Sequence, residues 1–518
     1  MDQATSSKAG FAPMKGSKAG MSVGPRGKHG FGPRRGEDVP LGRFSEPGKF
    51  GRMFPDLQPL VPDKDALTAL GLAMKEAGGD DLAPGGDNPA VPAGFTYLGQ
   101  FIDHDLTFDP TSLQEILVDP QALYNFRTPK FDLDCVYGAG PVAQPYLYSR
   151  SDPDLFLVGS TSAVANPFGK PTESGLPNDL PRAPHGFALI GDPRNDENLA
   201  VAQTHLAFLK FHNKIVAGLR DGSLERKSPL RKSVFEEARD LTIWHYQKIV
   251  LTDFLGRVVN KEVLHAVLKD GPKFFRVPRG LGFIPVEFSA AAYRFGHSMV
   301  REQYDYNRVF RANHPDGAPP ASLGLLFRFS GLSGDGGNTP IPSNWIIDWR
   351  RFYELGGEPA PNPSRLINPA LTGQLHTLPG VPDPKSLAVR NLIRGMSLGL
   401  PPGQSVARFM NLKPLAPADF TGPDGEVAKA HKFDVETPLW YYVLKEAEVQ
   451  EGGRCLGRVG SRIVAEVFVS LLRADSSSFV FRKNNWDWEP TLPHETPGAY
   501  HMTDLLNFVG DINPIGED

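Results

Sequence analysis

Only two cysteines, Cys135 and Cys455, occur in 518 residues. That excludes a disulfide-built scaffold; two free thiols are the expected state, although the pair could bridge. No run approaches about 18 uninterrupted apolar residues, so a membrane-spanning helix is not expected. The first residues, Met1 to Lys8, lack the apolar stretch of a secretory signal. The chain is therefore expected in the cytoplasm, or outside by a signal-less route. A dominant sign of charge is also missing: 55 Lys and Arg against 59 Asp and Glu leave a net −4, which argues against a nucleic-acid partner. Alternating strand patterns are rare and short. Glycine and proline are what the chain has in excess, 54 and 49, about a fifth of all residues. Long ordered loops follow from that composition.

The length exceeds the roughly 250–300 residues at which single cores usually stop growing, yet no repeat or linker divides the middle of the chain. Residues 1–52 differ in character. Ser7-Lys8-Ala9-Gly10 recurs as Ser17-Lys18-Ala19-Gly20, and ten basic residues stand against four acidic ones. Such a segment buries too little apolar surface to order itself and reads as a flexible basic tail; an arm for RNA or a membrane surface is the alternative. Residues 53–518 read as one mainly α domain with long ordered loops and few short strands. Helical spacing starts at Asp65–Met74 and returns at Glu197–Leu219, Ser233–Val259, Phe288–His297, around Asn391, and at Ser461–Leu472. Asp81–Pro92 reads as a Gly/Pro-rich loop, 140–190 as a long excursion, and 311–343 as loop-rich.

The densest chemistry lies in Gly99-Gln100-Phe101-Ile102-Asp103-His104-Asp105-Leu106. Residues three and four apart are neighbours on a helix, so Gln100, Asp103 and His104 share a face while Asp105 follows Phe101 onto an adjacent one. Phe101, Ile102 and Leu106 draw such a helix into a core, where polar groups need partners. Alone, the segment reads as a core histidine held by a carboxylate, or as a His-Asp metal pair of the phosphohydrolase kind. Four other segments bear on the choice. Gly191-Asp192-Pro193-Arg194-Asn195-Asp196-Glu197 opens an apolar helix, with Arg194 and Glu197 three apart. Phe288 to His297 sets a second histidine late in an Ala-rich helix, with Arg294 one turn before it. Leu387 to Gly395 supplies Asn391 and Arg394, and Thr128 to Gly138 is an oxygen-rich loop carrying Asp132 and Asp134.

In this order, together with Arg52-Met53-Phe54-Pro55, Trp440-Tyr441-Tyr442-Val443 and Arg458 to Glu466, these segments resemble the animal-type haem peroxidases of the peroxidase–cyclooxygenase superfamily. The resemblance implies haem b held by His297, whose other ring nitrogen donates to Asn391, with Arg294 and Arg394 pairing with the propionates. It implies His104 as the distal base, Arg194 as the distal cation, and Gln100 as partner of the distal water or a small anion. Asp103 and Glu197 match positions whose carboxylates esterify the haem; the plainer alternative is that both are only hydrogen-bonded in the pocket. Asn198 stands where the mammalian myeloid enzyme has a methionine. A third, sulfonium link is thereby excluded, and donors easier to oxidise than chloride are expected. Asp105, Thr128, Asp132 and Asp134, with the carbonyl of Lys130, would bind calcium, which favours six to eight oxygen ligands.

The implied activity is reduction of hydrogen peroxide, through a ferryl intermediate, with oxidation of small donors such as phenols, bromide, iodide or thiocyanate. Two further readings stay open: a fatty-acid dioxygenase of the same superfamily, and a non-catalytic adhesion protein with a peroxidase fold. The dioxygenases carry a radical-forming tyrosine three residues before the proximal histidine. Here that place is Arg294, with Tyr293 one residue further off. The presence of His104, Arg194, His297 and Asn391 speaks against the adhesion protein. Plain structural roles also exist for single residues: Arg194 could pair with Asp192 or Asp196 at the surface, and Arg294 and Arg394 could be ordinary buried ion-pair partners.

Overall fold

Helix ends in this protein follow local capping chemistry closely. The computed structural model describes residues 50–76, 86–108, 125, 127–162, 175–314, 318–331, 339–378, 381–482 and 485–517; the tail expected over 1–52 lies outside them up to residue 49. At α1 (Lys64–Ala73) the Asp63 carboxylate accepts from the Asp65 and Ala66 N–H groups, which would otherwise lack partners. Next come β1 (Asp87–Pro92), α2 (Gly94–Leu106) and the short α3 (Asp134–Tyr137). The Asn198 side chain caps α4 (Leu199–Asp221), which ends on Gly222 at φ 84°, a left-handed conformation that glycine adopts without strain. Ser233 and Glu236 form a reciprocal capping box at α5 (Val234–Lys248).

α5 runs through a π-helical turn, Ile249–Phe254, into α6 (Leu255–Val258), so the helix expected over Ser233–Val259 is interrupted. α7 (Lys261–Asp270) and α8 (Val286–Ser289) follow. The single helix expected from Phe288 to His297 is broken: after α8, Ala291 leaves helical geometry at φ −135° and ψ −78°, and Ala292–Met299 forms a 3₁₀ segment. Then come β2 (Gln303–Tyr304), β3 (Ala321–Ser322), α9 (Leu323–Arg328) and β4 (Pro363–Arg365). The C-terminal part is helical: α10 (Leu387–Ser397), α11 (Gly403–Phe409), α12 (Gly422–Ala430), α13 (Leu439–Glu451), α14 (Arg458–Ala474) and α15 (Met502–Val509).

The mainly α expectation holds; among the described residues there are two antiparallel pairs, β1 with β4 and β2 with β3. β1 lies inside the stretch read as loop. Its partner is some 270 residues away, and Asp87 forms ion pairs with Arg301 and Arg365, contacts that local sequence does not reveal. α2 sits between α4 and the 3₁₀ segment. Phe101 stacks on Phe208 at 4.8 Å between ring centres, and Leu98, Phe101, Ile102 and Leu106 are fully buried. The packed body begins earlier than residue 53. Phe50 is buried, Gly51 bridges Pro285, and Arg52 donates to the carbonyls of Leu398 and Gly399 at 2.6 and 3.1 Å. Cys135 and Cys455 are both free. Among the described residues, no helix is long and apolar enough to cross a membrane.

Candidate active site

α2, the start of α4, the 3₁₀ segment and α10 enclose one cavity of about 1360 Å³, part of it open to solvent. The α2 face read from helical spacing is the one that lines it: Gln100, Asp103 and His104 reach the cavity, as do Arg194, Glu197 and Asn198. Arg294, His297 and Arg394 line it too, as does Tyr293, whose hydroxyl donates to the Gly99 carbonyl at 3.2 Å. The rest is largely apolar, including Phe95, Phe254 from the π-helical turn, Phe295 and Leu387.

His104 is buried, and its Nδ1 lies 2.8 Å from the Asn195 Oδ1. Burial, reinforced by the Arg194 charge, pushes its pKa down to about 3, so the ring is neutral at physiological pH. Arg194 sits in a 3₁₀ turn, Pro193–Asp196, capped by Asp192. Its Nε and Nη2 bond the Asp192 carboxylate at 3.1 and 2.8 Å, and Nη2 also donates to the carbonyls of His104 and Thr107. A cation is thus fixed at the carbonyl end of α2, where the helix dipole favours one. The expected alternative, a surface pair, is half met: the Asp192 pair exists but is buried, while Asp196 goes to Arg182 at 2.7 Å. Burial alone would raise the Asp192 carboxyl, but Arg194 and Arg127 outweigh it and hold the group well below the usual carboxylate range.

The Gln100 amide ties the two helices together, donating to the Glu197 carboxylate at 3.2 Å and accepting from the Asn198 amide at 2.9 Å. The Asp103 carboxylate accepts from the Thr107 hydroxyl at 3.1 Å.

His297 is neutral too, its pKa pushed down to about 3 by burial and then by Arg294. Residues three apart line up in a 3₁₀ helix, so Arg294 and His297 both reach Asn391. Here one expectation is corrected. The Asn391 Oδ1 accepts from the Arg294 guanidinium at 2.7 Å, and its Nδ2 faces the His297 Nδ1 at 2.8 Å. The amide donates to the ring instead of accepting, because the guanidinium, a donor only, claims its oxygen. Arg294 also donates to the Ser289 carbonyl at 3.0 Å.

Asp105 points away from the cavity, as its helical position implies. One carboxylate oxygen each from Asp105, Asp132 and Asp134 lie within 4.8 Å of one another. The Thr128 hydroxyl is 2.9 Å from both Asp132 oxygens, and the Lys130 N–H donates to the Thr128 carbonyl at 2.8 Å. Asp105 is fully buried, and among the described residues neither of its oxygens has a hydrogen bond of good geometry. Burial, then repulsion from Asp132 and Asp134, raises its pKa well above the usual value. Three converging carboxylates, one of them buried, suit a hard cation.

Three residues of this region were given no role by the sequence reading. Asn195 bridges His104 to His205, its Nδ2 lying 2.9 Å from the His205 Nδ1. Arg127 joins Asp134 of the acidic cluster, at 3.3 Å, to Asp192, at 2.6 Å. Asn195 could have been suspected as a neighbour of Arg194; His205 and Arg127 are placed by packing between distant segments.

The sequence profile of the family described as animal haem peroxidase matches residues 111–476. That span contains the Thr128–Asp134 loop, Arg194, Glu197, Arg294, His297, Asn391 and Arg394, but begins after α2, so Gln100, Asp103, His104 and Asp105 rest on geometry. Thyroid peroxidase of Canis lupus familiaris is 26% identical over 303 residues, 57% of this chain and 30% of that protein. A peroxidase-like protein of Margaritifera margaritifera is 30% identical over 227 residues, 41% of this chain and 26% of that protein. The chain thus spans about a third or less of the length of these relatives. Peroxidase A from Dictyostelium discoideum shares the fold, with TM-score 0.56, 17% identity and coverage of 87% of this chain and 92% of that one. So does Oryza sativa fatty acid alpha-dioxygenase, with TM-score 0.54, 13% identity and coverage of 91% and 80%. With more than half its length matched by that profile, the chain belongs to the animal haem peroxidase family.

Proposed function

We propose that the chain is a haem-dependent peroxidase that reduces hydrogen peroxide and oxidises small donors such as phenols, bromide, iodide or thiocyanate. The observation that carries this reading is the pairing of two neutral, deeply set histidines from separate elements, His104 and His297, in one cavity lined by three arginines. His297 would hold the iron of haem b, and Arg294 and Arg394 its carboxylates, for which the planar guanidinium suits bidentate pairing. When bound, the haem supplies the electrons that cleave the O–O bond, with a reactivity set by its axial ligand. The chain's own residues handle protons and charge. With the His104 Nδ1 facing the Asn195 Oδ1, Nδ1 carries the ring proton and Nε2 is bare. That nitrogen takes a proton from peroxide and returns it to the leaving oxygen, a role worth about 10²–10⁴ in rate. The Arg194 cation faces the negative charge that develops there. Gln100 would bind the distal water or a small anion, Asp103 and Glu197 would esterify the haem, and Asp105, Thr128, Asp132, Asp134 and the Lys130 carbonyl would hold calcium.

Stopped-flow mixing of the haem-loaded protein with hydrogen peroxide tests this. His104→Ala should slow the first spectral change at least about 100-fold while keeping the Soret band; an undiminished rate would refute the assignment. Tyr293 in the cavity wall and the shared fold favour one competing reading, a fatty-acid dioxygenase. Arg294, in the place of its radical-forming tyrosine, opposes that reading, which predicts oxygen uptake on addition of a fatty acid.

A further inference from the structure

Asn195 is fully buried and touches two histidines with the two ends of one amide: Oδ1 is 2.8 Å from the His104 Nδ1, and Nδ2 is 2.9 Å from the His205 Nδ1. An amide is chemically asymmetric, since its nitrogen only donates and its oxygen only accepts. The His205 Nδ1 must therefore offer a lone pair, which puts that ring's proton on Nε2. The His104 Nδ1 must carry a proton, which leaves the His104 Nε2 as a lone pair. Turned over, the same amide would reverse both tautomers, and His104 would present an N–H and have no site to receive a proton. The reversal needs both rings to change together. Among the described residues, the His205 Nε2 has no hydrogen-bond partner, and the Asn195 Oδ1 is the partner seen at the His104 ring.

We infer that Asn195 is a positioning residue: its Oδ1 at the His104 Nδ1 sets which nitrogen of His104 bears the proton, while His205 takes up the other end of the amide. Asn195 acts through His104, whose proton-handling role is the reading this inference rests on. Its backbone is held in the same 3₁₀ turn as Arg194, with its N–H donating to the Asp192 carbonyl at 3.1 Å. His205 comes from α4, so the relay also ties the distal base to a second helix.

Two ligands of the haem-loaded protein separate this role from a merely structural one. Hydrogen cyanide must give up a proton to bind, and carbon monoxide on the reduced iron has none to give. Asn195→Leu, similar in size but without donor or acceptor, should slow cyanide association at least about tenfold, a modest part of what a positioned base contributes, and leave carbon monoxide association unchanged. Asn195→Asp, which keeps an oxygen facing the ring, should restore the cyanide rate. In the haem-free chain with ¹⁵N-labelled histidine, nuclear magnetic resonance should show His104 as the Nδ1–H tautomer, and a shift toward Nε2–H in Asn195→Leu. Should that variant fail to take up haem, Asn195→Ala carries the same test, because it too removes the oxygen that faces the His104 ring. A wild-type cyanide rate with an unchanged tautomer, or equal slowing of both ligands, overturns the inference. A wild-type cyanide rate in His104→Ala would instead remove the underlying reading of His104, so the two failures are distinct.

Discussion

Asp192 is a carboxylate with no exposed surface held between two guanidiniums, Arg127 at 2.6 Å and Arg194 at 2.8 Å. Removing one partner of a buried pair costs about 3–5 kcal/mol, because the remaining charge is left uncompensated. The folded-state pKa of Asp192 is depressed, so its stabilisation is present above the ordinary value of 3.8 and is lost as pH falls through the lower folded value. Asp192→Asn should therefore be destabilised by a few kcal/mol at pH 7 by urea unfolding, with the deficit shrinking below about pH 4; a deficit that does not change with pH would contradict this. At this scale the sequence was informative where a helix alone sets the neighbours. Gln100, Asp103 and His104 needed only helical spacing to be placed on one face, and Asp105 to be turned from it. The roles of Asn195 and His205 were not visible because Asn195 meets His104, and His205 meets Asn195, through the packing of α2 on α4, and nothing in periodicity encodes a contact 91 residues apart.

Between elements, the junction of α13 and α14 shows how burial and capping compete. The Glu446 carboxylate on α13 accepts from the Val459 and Gly460 N–H groups in the first turn of α14, at 2.9 and 3.2 Å. Burial outweighs these bonds and lifts its pKa from 4.5 to about 7. A raised folded value means the fold holds its proton more tightly than the unfolded chain, so stability is full below pH 4.5 and declines as pH rises toward 7. That span corresponds to about 3 kcal/mol. Thermal unfolding of Glu446→Gln should lose this slope between pH 4.5 and 7, and a variant with the wild-type slope would show that another group titrates there. Element types were mostly readable, since α1, α4, α10 and α14 follow apolar spacing and capping residues. The break at Ala291 was not: an Ala-rich run favours helix locally, and packing against α2 and α13 imposes the 3₁₀ segment that brings Arg294 and His297 to Asn391.

At the scale of the whole molecule, we propose one domain over 53–518. Its apolar core is continuous, and the helices enclose one large cavity instead of closing over one another. The order of motifs along the sequence made this architecture readable, while the orientation of Asn391 was not, because it depends on how Arg294 and His297 share one amide. The central claim is that His297 grips the iron of a haem seated between the elements carrying His104 and His297. Titration of haem b into the haem-free chain, followed by the Soret band and the iron spin state, tests it most directly. Wild type and His104→Ala should saturate at one haem per chain with a histidine-ligated spectrum, whereas His297→Ala should lose that signature and regain it on adding imidazole. A wild-type spectrum from His297→Ala would contradict the account.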